Sequence, residues 1–199
     1  MILIPERIRE RTIAARVRDW PRILPSRHRS APVGAGFGSS RFSSPSRKFK
    51  VLYAGEDFAT AFAEAVVRDR FEGKSRRYLY RPSLEALCIT SISSGRELTL
   101  LDLTGAGAYE LGVDTDTNRA RDHQVGQEFS EALHAQIPDV DGILFDSRLT
   151  SGRCIAVYER ALPALSGQPP IALLQAAELV NELRRLDIVV RRERSYGVS

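Results

Sequence analysis

The chain has 199 residues, of which 43% are hydrophobic and 27% are charged. This length and composition are those of one globular domain that can bury a core without a metal or a disulfide, and no apolar run approaches the ~18 residues of a membrane-spanning helix. Arginines occupy the N-terminal positions where a signal peptide needs its apolar region, so we expect a cytoplasmic protein with reduced cysteines and no membrane association.

The positive charge is concentrated at the N-terminal end. Residues 1–50 contain 12 arginines and lysines but only three acidic residues, although the net charge of the whole chain is just +4. A basic segment of this kind favours an anionic partner such as a phosphate group, a nucleic acid or an acidic protein surface. A solvated basic helix and loop is the alternative.

In chain order, the first predicted element is an amphipathic helix over residues 5–19, which Pro21 and Pro25 prevent from continuing. A basic loop rich in glycine and serine follows over residues 27–50. Its GAGFG run at 34–38 is neither preceded by a strand nor followed directly by a helix, so it is not a dinucleotide-binding fingerprint. These glycines can simply form turns in the loop backbone, or they can bind phosphate, and both interpretations remain open.

A short buried strand, VLYA (51–54), precedes a helix that Glu56 or Asp57 can cap. Apolar residues recur in this helix at the spacing of one buried stripe. They are Phe58, Ala61, Phe62, Ala65 and Val66. Glu64 lies beside the stripe, four residues before Arg68, and an exposed ion pair between these two is the simplest interpretation.

The rest of the chain predicts mixed elements without regular alternation. They are two strands joined around Ser94-Gly95, helices near 106–112 and 122–136, buried strands in DGILFDS (141–147) and RCIAVYER (153–160), a helix at about 171–186, and a last strand, DIVVR. This order favours an α+β fold, one domain with mixed or antiparallel sheets and flanking helices. We divide the chain into an N-terminal helical extension, 1–24, and a main domain, 25–199.

Three segments of the chain, in this order, resemble the RES-domain family, the toxin halves of bacterial RES–Xre toxin–antitoxin pairs. They are SRF (40–42), VLYA followed by AFAE (51–54 and 61–64), and DGILFDS (141–147). Eleven residues separate Tyr53 from Glu64, and this interval adds to the specificity of the pattern. The resemblance covers roughly residues 24–160.

The resemblance implies an ADP-ribosyltransferase-like fold that consumes NAD+ as its substrate. Such a protein breaks the bond between nicotinamide and ribose, passes ADP-ribose to phosphate or water, and is toxic because NAD+ is depleted. The implied partner is an Xre-type antitoxin, and direct nucleic-acid binding by this chain alone is not expected. No metal is expected either, because the three histidines are scattered and no CxxC or HxxxH spacing occurs.

The residue types at these positions suit the cleavage of the nicotinamide–ribose bond that the resemblance implies. A carboxylate, Glu64, can stabilise the oxocarbenium-like charge on the ribose, and Ser147 can orient it. Arginine forks at Arg41 and Arg27 can bind the pyrophosphate, with Arg29 as the alternative to Arg27. The ring of Tyr53 can stack on nicotinamide.

Each of these residues also has a structural interpretation. Tyr53 can be a core aromatic, the arginines can be surface charges, and Ser147 can cap a turn. Glu128 and Glu131 are rival glutamates on the 122–136 helix. Two other functions stay open as well: a mono-ADP-ribosyltransferase that modifies a host protein, and a non-enzymatic nucleic-acid-binding protein.

Overall fold

The computed structural model describes residues 1–71, 74–113 and 123–192. Eleven strands lie within these ranges. They are β1 Thr12–Ala15, β2 Trp20–Pro25, β3 Val51–Gly55, β4 Arg77–Tyr80, β5 Leu87–Ser94, β6 Leu98–Asp102, β7 Gly142–Asp146, β8 Arg153–Tyr158, β9 Leu165–Gly167, β10 Ile171–Ala172 and β11 Ile188–Arg191.

Helices flank these strands in the described parts of the chain. The α-helices are α1 Pro5–Glu10, α2 Phe58–Phe62, α3 Arg81–Glu85, α4 Gly107–Glu110, α5 Gln124–Gln136 and α6 Leu179–Arg185. A π-helical turn, Ala63–Val67, continues directly from α2. Short 3-10 turns occupy Ser26–His28, Arg68–Arg70, Glu159–Ala164 and Leu173–Gln175.

The central sheet has the strand order β1-β6-β7-β8-β3, with β6 and β7 parallel and the other pairs antiparallel. In a second sheet, β5 pairs with β2 along one edge and with β9 and β10 along the other. A third sheet joins β4 and β11 in parallel. Mixed pairing with helices on the outside confirms the predicted α+β class.

The two faces of the central sheet bury alternate residues of the same strands. From β8, Ile155 and Val157 pack with Ile92 of the second sheet, whereas Cys154, Ala156 and Tyr158 pack with α5. Side chains of successive strand residues point to opposite faces. Because both faces are covered, the inner strands appear in the sequence as continuous apolar runs.

The structure corrects the predicted N-terminal helix. It ends at Glu10, and Thr12–Ala15 and Trp20–Pro25 form strands that pair with β6 and β5. The helical extension predicted for residues 1–24 is therefore one helix followed by strands of two sheets. Proline is tolerated at a sheet edge, so Pro21 and Pro25 are compatible with β2. The domain boundary assigned after residue 24 stays a prediction.

Predicted elements after residue 86 also differ in detail from those of the structure. The helix predicted at 171–186 begins only at Leu179, after a strand and a 3-10 turn. The strands on either side of Ser94-Gly95 both exist but lie in different sheets instead of pairing with each other. The helix predicted from residue 122 is α5, and residue 122 itself lies outside the described residues.

One buried ionic contact fixes the start of β7. Asp141, which is 7% exposed, accepts hydrogen bonds of 2.6 and 2.9 Å from the guanidinium of Arg96 and one of 2.9 Å from the backbone N–H of Thr99. Burial raises the pKa of Asp141, but the hydrogen bonds from Arg96 and Thr99 outweigh it and hold the pKa below its usual value. The folded state therefore favours the carboxylate.

We expect Asp141→Asn to lower the free energy of unfolding at pH 7 by about 1–3 kcal/mol, because the guanidinium of Arg96 and the N–H of Thr99 lose a charged acceptor at a buried position. A carboxylate whose pKa is lowered by folding stabilises the protein above its unfolded pKa of about 4, and this contribution is lost as the pH falls through the folded pKa. Urea denaturation at pH 7 and at decreasing pH measures both effects.

Asp139→Asn is the matched control, because the Asp139–Arg9 pair is 3.4 Å long and both side chains are more than half exposed. It should change the free energy of unfolding by less than about 0.5 kcal/mol. Equal losses in the two variants would contradict a special role for Asp141.

Candidate functional site

A cavity of about 170 Å³ opens where strands β2 and β3 meet the helical segment that follows β3. Its wall contains Arg41 from the loop before β3, Tyr53 from β3, and Glu64 and Arg68 from the helical segment. Phe145 of β7 and Cys154 of β8 lie at its inner side. Residues far apart in sequence therefore converge on one concave surface.

Glu64 lies at the cavity within a helical segment that changes its pitch. Asp57 caps α2 by accepting a 2.7 Å hydrogen bond from the N–H of Thr60, and the chain then widens into the π-helical turn Ala63–Val67. A π turn accommodates an extra residue and shifts the side chains that follow. Ala65, predicted to be buried, is consequently exposed at the cavity.

The same region requires a glycine at the end of β3. A Cβ added at Gly55 would lie 2.6 Å from the backbone nitrogen of Ala61, which is closer than any side chain can approach. The absence of a side chain lets α2 pack directly on the end of β3. Tyr53 and Glu64 are thereby held on two elements in backbone contact.

Ser147 fixes the carboxylate of Glu64. Its Oγ donates a 2.8 Å hydrogen bond to Oε1 of Glu64 and accepts one of 3.2 Å from the N–H of Leu149. Ser147 is 3% exposed and its own N–H donates to the carbonyl of Gly152. The hydroxyl proton is thus directed at Glu64 by a rigid turn after β7.

Arg68 lies on the other side of the same carboxylate. One guanidinium nitrogen is 3.7 Å from Oε2 of Glu64, and the two side chains are 22% and 21% exposed. Another guanidinium nitrogen is 3.2 Å from Nε2 of His123. The expected Glu64–Arg68 pair therefore exists, but it lines a cavity and is not part of a solvated helix face.

Arg41 presents its charge to the cavity from above two aromatic rings. Its guanidinium carbon lies 5.5 Å from the ring centre of Phe145 and 5.8 Å from that of Phe42. Burial lowers the pKa of Arg41, and the positive charge of Arg148 lowers it further, while Glu64 opposes these effects. Such a partly desolvated cation favours an anionic ligand.

Tyr53 contributes its ring to the wall and its hydroxyl to the protein. The phenolic oxygen accepts a 3.0 Å hydrogen bond from the N–H of Phe42. Burial raises the pKa of Tyr53 to about 12, so the phenol is neutral at physiological pH. Both roles considered for this residue are compatible with its position, since its hydroxyl is hydrogen-bonded within the protein and the residue also lines the cavity.

Arg22, which the sequence pattern did not indicate as a site residue, lies on β2 and lines the cavity. One terminal nitrogen donates a 2.6 Å hydrogen bond to the carbonyl of Gly34, and the other, NH1, is buried without a hydrogen-bond partner among the described residues. Burial lowers the pKa of Arg22 to about 10. A strand interpretation of residues 20–25 would have turned this arginine inward, but the two prolines suggested a helix end.

Arg27 and Arg29 lie elsewhere. Both are exposed; Arg27 contacts the ring of His28, and Arg29 donates to the carbonyl of Pro170. Neither residue lines the cavity. A ligand-binding role for Arg27 stays a prediction, whereas Arg22 lines the cavity.

The rival glutamates and the glycine run also lie outside the cavity wall. Glu131 accepts hydrogen bonds from Ser46 and Lys48, and Glu128 is exposed on α5. The run at 34–38 forms a bridge from Gly36 to the start of β3, which is a backbone role. No group of three or more histidine, cysteine or acidic side chains is arranged to hold a metal within the described ranges.

Residues 13–180 match the family model of the RES domain. The chain belongs to the RES domain family. The match begins ahead of residue 24, where the resemblance in the sequence began, and it therefore includes β2 with Arg22. The predicted family membership is confirmed.

Two further proteins are similar to this RES domain. The probable toxin y4kH of Sinorhizobium fredii (strain NBRC 101917 / NGR234) is 32% identical over 100 residues, which cover 50% of this chain and 79% of the relative. The crystal structure of the M. tuberculosis MbcT–MbcA toxin–antitoxin complex matches with a TM-score of 0.68 at 21% identity, covering 90% of this chain and 96% of the matched chain. The second similarity shows that the fold is shared.

We expect Arg22→Met to leave the free energy of unfolding of this RES domain within about 1 kcal/mol of the parent, or to raise it, because a poorly satisfied buried cation is replaced by an apolar side chain of similar length. Urea denaturation measures the change. Residues that bind a ligand often lower the stability of the folded protein.

Arg160→Met is the control, and we expect it to lower the free energy of unfolding. Arg160 donates to the carbonyls of Pro138 and His134 at the end of α5, so its loss should cost about 1–3 kcal/mol. A loss at Arg22 as large as that at Arg160 would show that Arg22 serves the fold instead of a ligand.

Proposed function

We propose that this chain is the toxin of a toxin–antitoxin pair and that it cleaves NAD+ at the bond between nicotinamide and ribose. ADP-ribose is transferred to phosphate or water, with phosphate as the first choice of acceptor. The observation on which the proposal rests is a carboxylate, Glu64, oriented by Ser147 inside a cavity that three arginines line. The names of the two similar proteins, a probable toxin and a toxin–antitoxin complex, support the biological role.

The charge of the cavity suits a dinucleotide. Arg22, Arg41 and Arg68 face one carboxylate, so the wall has an excess of positive charge among the described residues. A pyrophosphate carries two negative charges and can accept paired hydrogen bonds from arginine forks. Arg22 has a buried nitrogen without a partner in the described structure, which a phosphate oxygen would satisfy.

The size of the cavity suits one end of the substrate. Its volume of about 170 Å³ is below the roughly 300–1,000 Å³ of pockets that enclose drug-sized ligands. A dinucleotide would therefore place its nicotinamide, the attached ribose and the pyrophosphate at the cavity and extend its adenosine along the surface. Tyr53 lines the cavity and offers an aromatic ring to the nicotinamide.

The reaction needs little acid–base chemistry from the protein. The bond from ribose C1′ to the nicotinamide nitrogen breaks with its electron pair on nitrogen, and nicotinamide leaves as a neutral molecule. The positive charge that develops on the ribose is stabilised by the carboxylate of Glu64. An oxygen of phosphate or water then bonds to C1′, and for water the displaced proton passes to solvent.

Glu64→Gln tests the proposal directly. The variant keeps the shape of the side chain and an oxygen for Ser147 but removes the negative charge, so we expect nicotinamide release to slow by about 10²–10³-fold and toxicity on expression to disappear. Purified protein is incubated with NAD+, with and without phosphate, and each product is identified by mass.

Glu128→Gln, on the exposed side of α5, is the control and should retain the parent rate. A Glu64→Gln variant as active as the parent would overturn the assignment. When the incubation is repeated with NAD+ labelled in its ADP-ribose part, transfer of the label to a protein, with no small ADP-ribosyl product, would support protein modification in place of NAD+ depletion.

Arg41→Lys is expected to raise KM for NAD+ about tenfold while kcat changes little, because lysine keeps the charge but loses the fork that binds two phosphate oxygens. Steady-state kinetics over a range of NAD+ concentrations separates the two constants. Arg47→Lys, a change at an exposed residue of the same loop, should leave both unchanged, and an unaltered KM in Arg41→Lys would remove Arg41 from the binding site.

A further inference from the structure

Helix α5 packs against the loop that contains Arg41 and holds its backbone. The side-chain nitrogen of Gln127 donates hydrogen bonds of 3.2 Å to the carbonyls of both Ser39 and Ser40. Ser130, which is fully buried, donates a 2.8 Å hydrogen bond to the carbonyl of Phe42. Three carbonyls on either side of Arg41 are thus bound by one face of one helix.

Gly126 brings this helix into direct contact with Arg41. A Cβ added at Gly126 would lie 2.7 Å from the carbonyl oxygen of Arg41 and 2.8 Å from its Cγ. Distances of this kind do not occur for real side chains, so any other residue at 126 must displace the helix or the arginine. Glycine is otherwise unfavourable inside a helix, which makes the contact with Arg41 the physical reason for its presence.

The opposite side of the loop is also fixed. Tyr53 accepts a hydrogen bond from the N–H of Phe42, so both backbone polar groups of Phe42 are bound by side chains from two different elements. The guanidinium of Arg41, in contrast, makes no hydrogen bond to another described residue and lies over the rings of Phe42 and Phe145. The position of its charge is therefore set mainly by the backbone that α5 holds.

We infer that Gly126 and Gln127 are positioning residues of the substrate site, which act through Arg41 and not by contact with the ligand. The inference rests on the proposed function, because it assigns to Arg41 the binding of the NAD+ pyrophosphate. A displacement of about 1 Å at a substrate-binding group can cost up to 10²-fold in activity. The helix face 126–130 thus determines substrate affinity from outside the cavity.

A double-mutant cycle with Gly126→Ala and Arg41→Ala tests this inference. Gly126→Ala alone should raise KM for NAD+ about tenfold and change kcat by less than about threefold. In the Arg41→Ala background the same change should alter KM by less than about twofold, because the group that it displaces is already absent. Full additivity of the two changes would overturn the inference.

Gln127→Ala provides a second variant that adds no atoms to the interface. It should raise KM several-fold, whereas Glu128→Ala, at the neighbouring exposed position of α5, should have no effect. Equal effects of Gln127→Ala and Glu128→Ala would contradict a role of this helix face in positioning Arg41.

A crystal structure of the Gly126→Ala protein separates this inference from the proposed function. If the parent protein does not cleave NAD+, the proposed function fails, but the structure still reports whether Arg41 moves. A shift of Arg41 by about 1 Å or more relative to β3 supports the positioning role. An unmoved Arg41 in the variant overturns it, whatever the protein does to NAD+.

Discussion

The hydrogen bond from Ser147 to Glu64 connects two segments of the candidate site, the turn that follows β7 and the helical segment that follows β3. It joins residues 83 positions apart, one on a turn after β7 and the other in a π-helical turn after β3. A half-buried carboxylate loses hydration and needs donors to replace it. Ser147 supplies such a donor in a fixed direction, because its own hydroxyl accepts a bond from the N–H of Leu149. The adjacent strands β7, β8 and β3 hold these two turns at the same end of the sheet.

Around this contact, Arg22 and Arg41 make no hydrogen bond to an acidic side chain in the described parts of the chain. Arg22, Arg41 and Arg68 converge on a cavity in which Glu64 is the acidic group of the wall. Burial lowers the pKa of both Arg22 and Arg41, which means that the folded protein desolvates these cations without full compensation. Stability alone does not favour such an arrangement. A ligand with adjacent negative charges would complete it, and the pyrophosphate of a dinucleotide has this property.

The substrate proposed for this RES domain also explains two irregular features of the backbone. The π turn Ala63–Val67 carries Glu64 and leads into Arg68, and both side chains line the cavity. Glycine at position 126 weakens α5 but allows the helix to touch Arg41. Each feature costs some local stability and improves the placement of one charged group. Departures of this kind from local preference are typical of functional sites.

The amino-acid sequence was sufficient to predict the fold class, the buried strands β3, β7 and β8, a cap at Glu56 or Asp57 and the family, because these depend on apolar runs, local capping and short motifs. It also selected Arg41, Tyr53, Glu64 and Ser147, which the structure brings together, although their chemical roles stay predictions. Only the tertiary structure distinguished Arg22 from Arg27, replaced the helix at residues 12–19, and exposed Ala65. Strand pairing and π turns depend on partners that are distant in the chain. The spacing of residues within one segment does not reveal which partners these are.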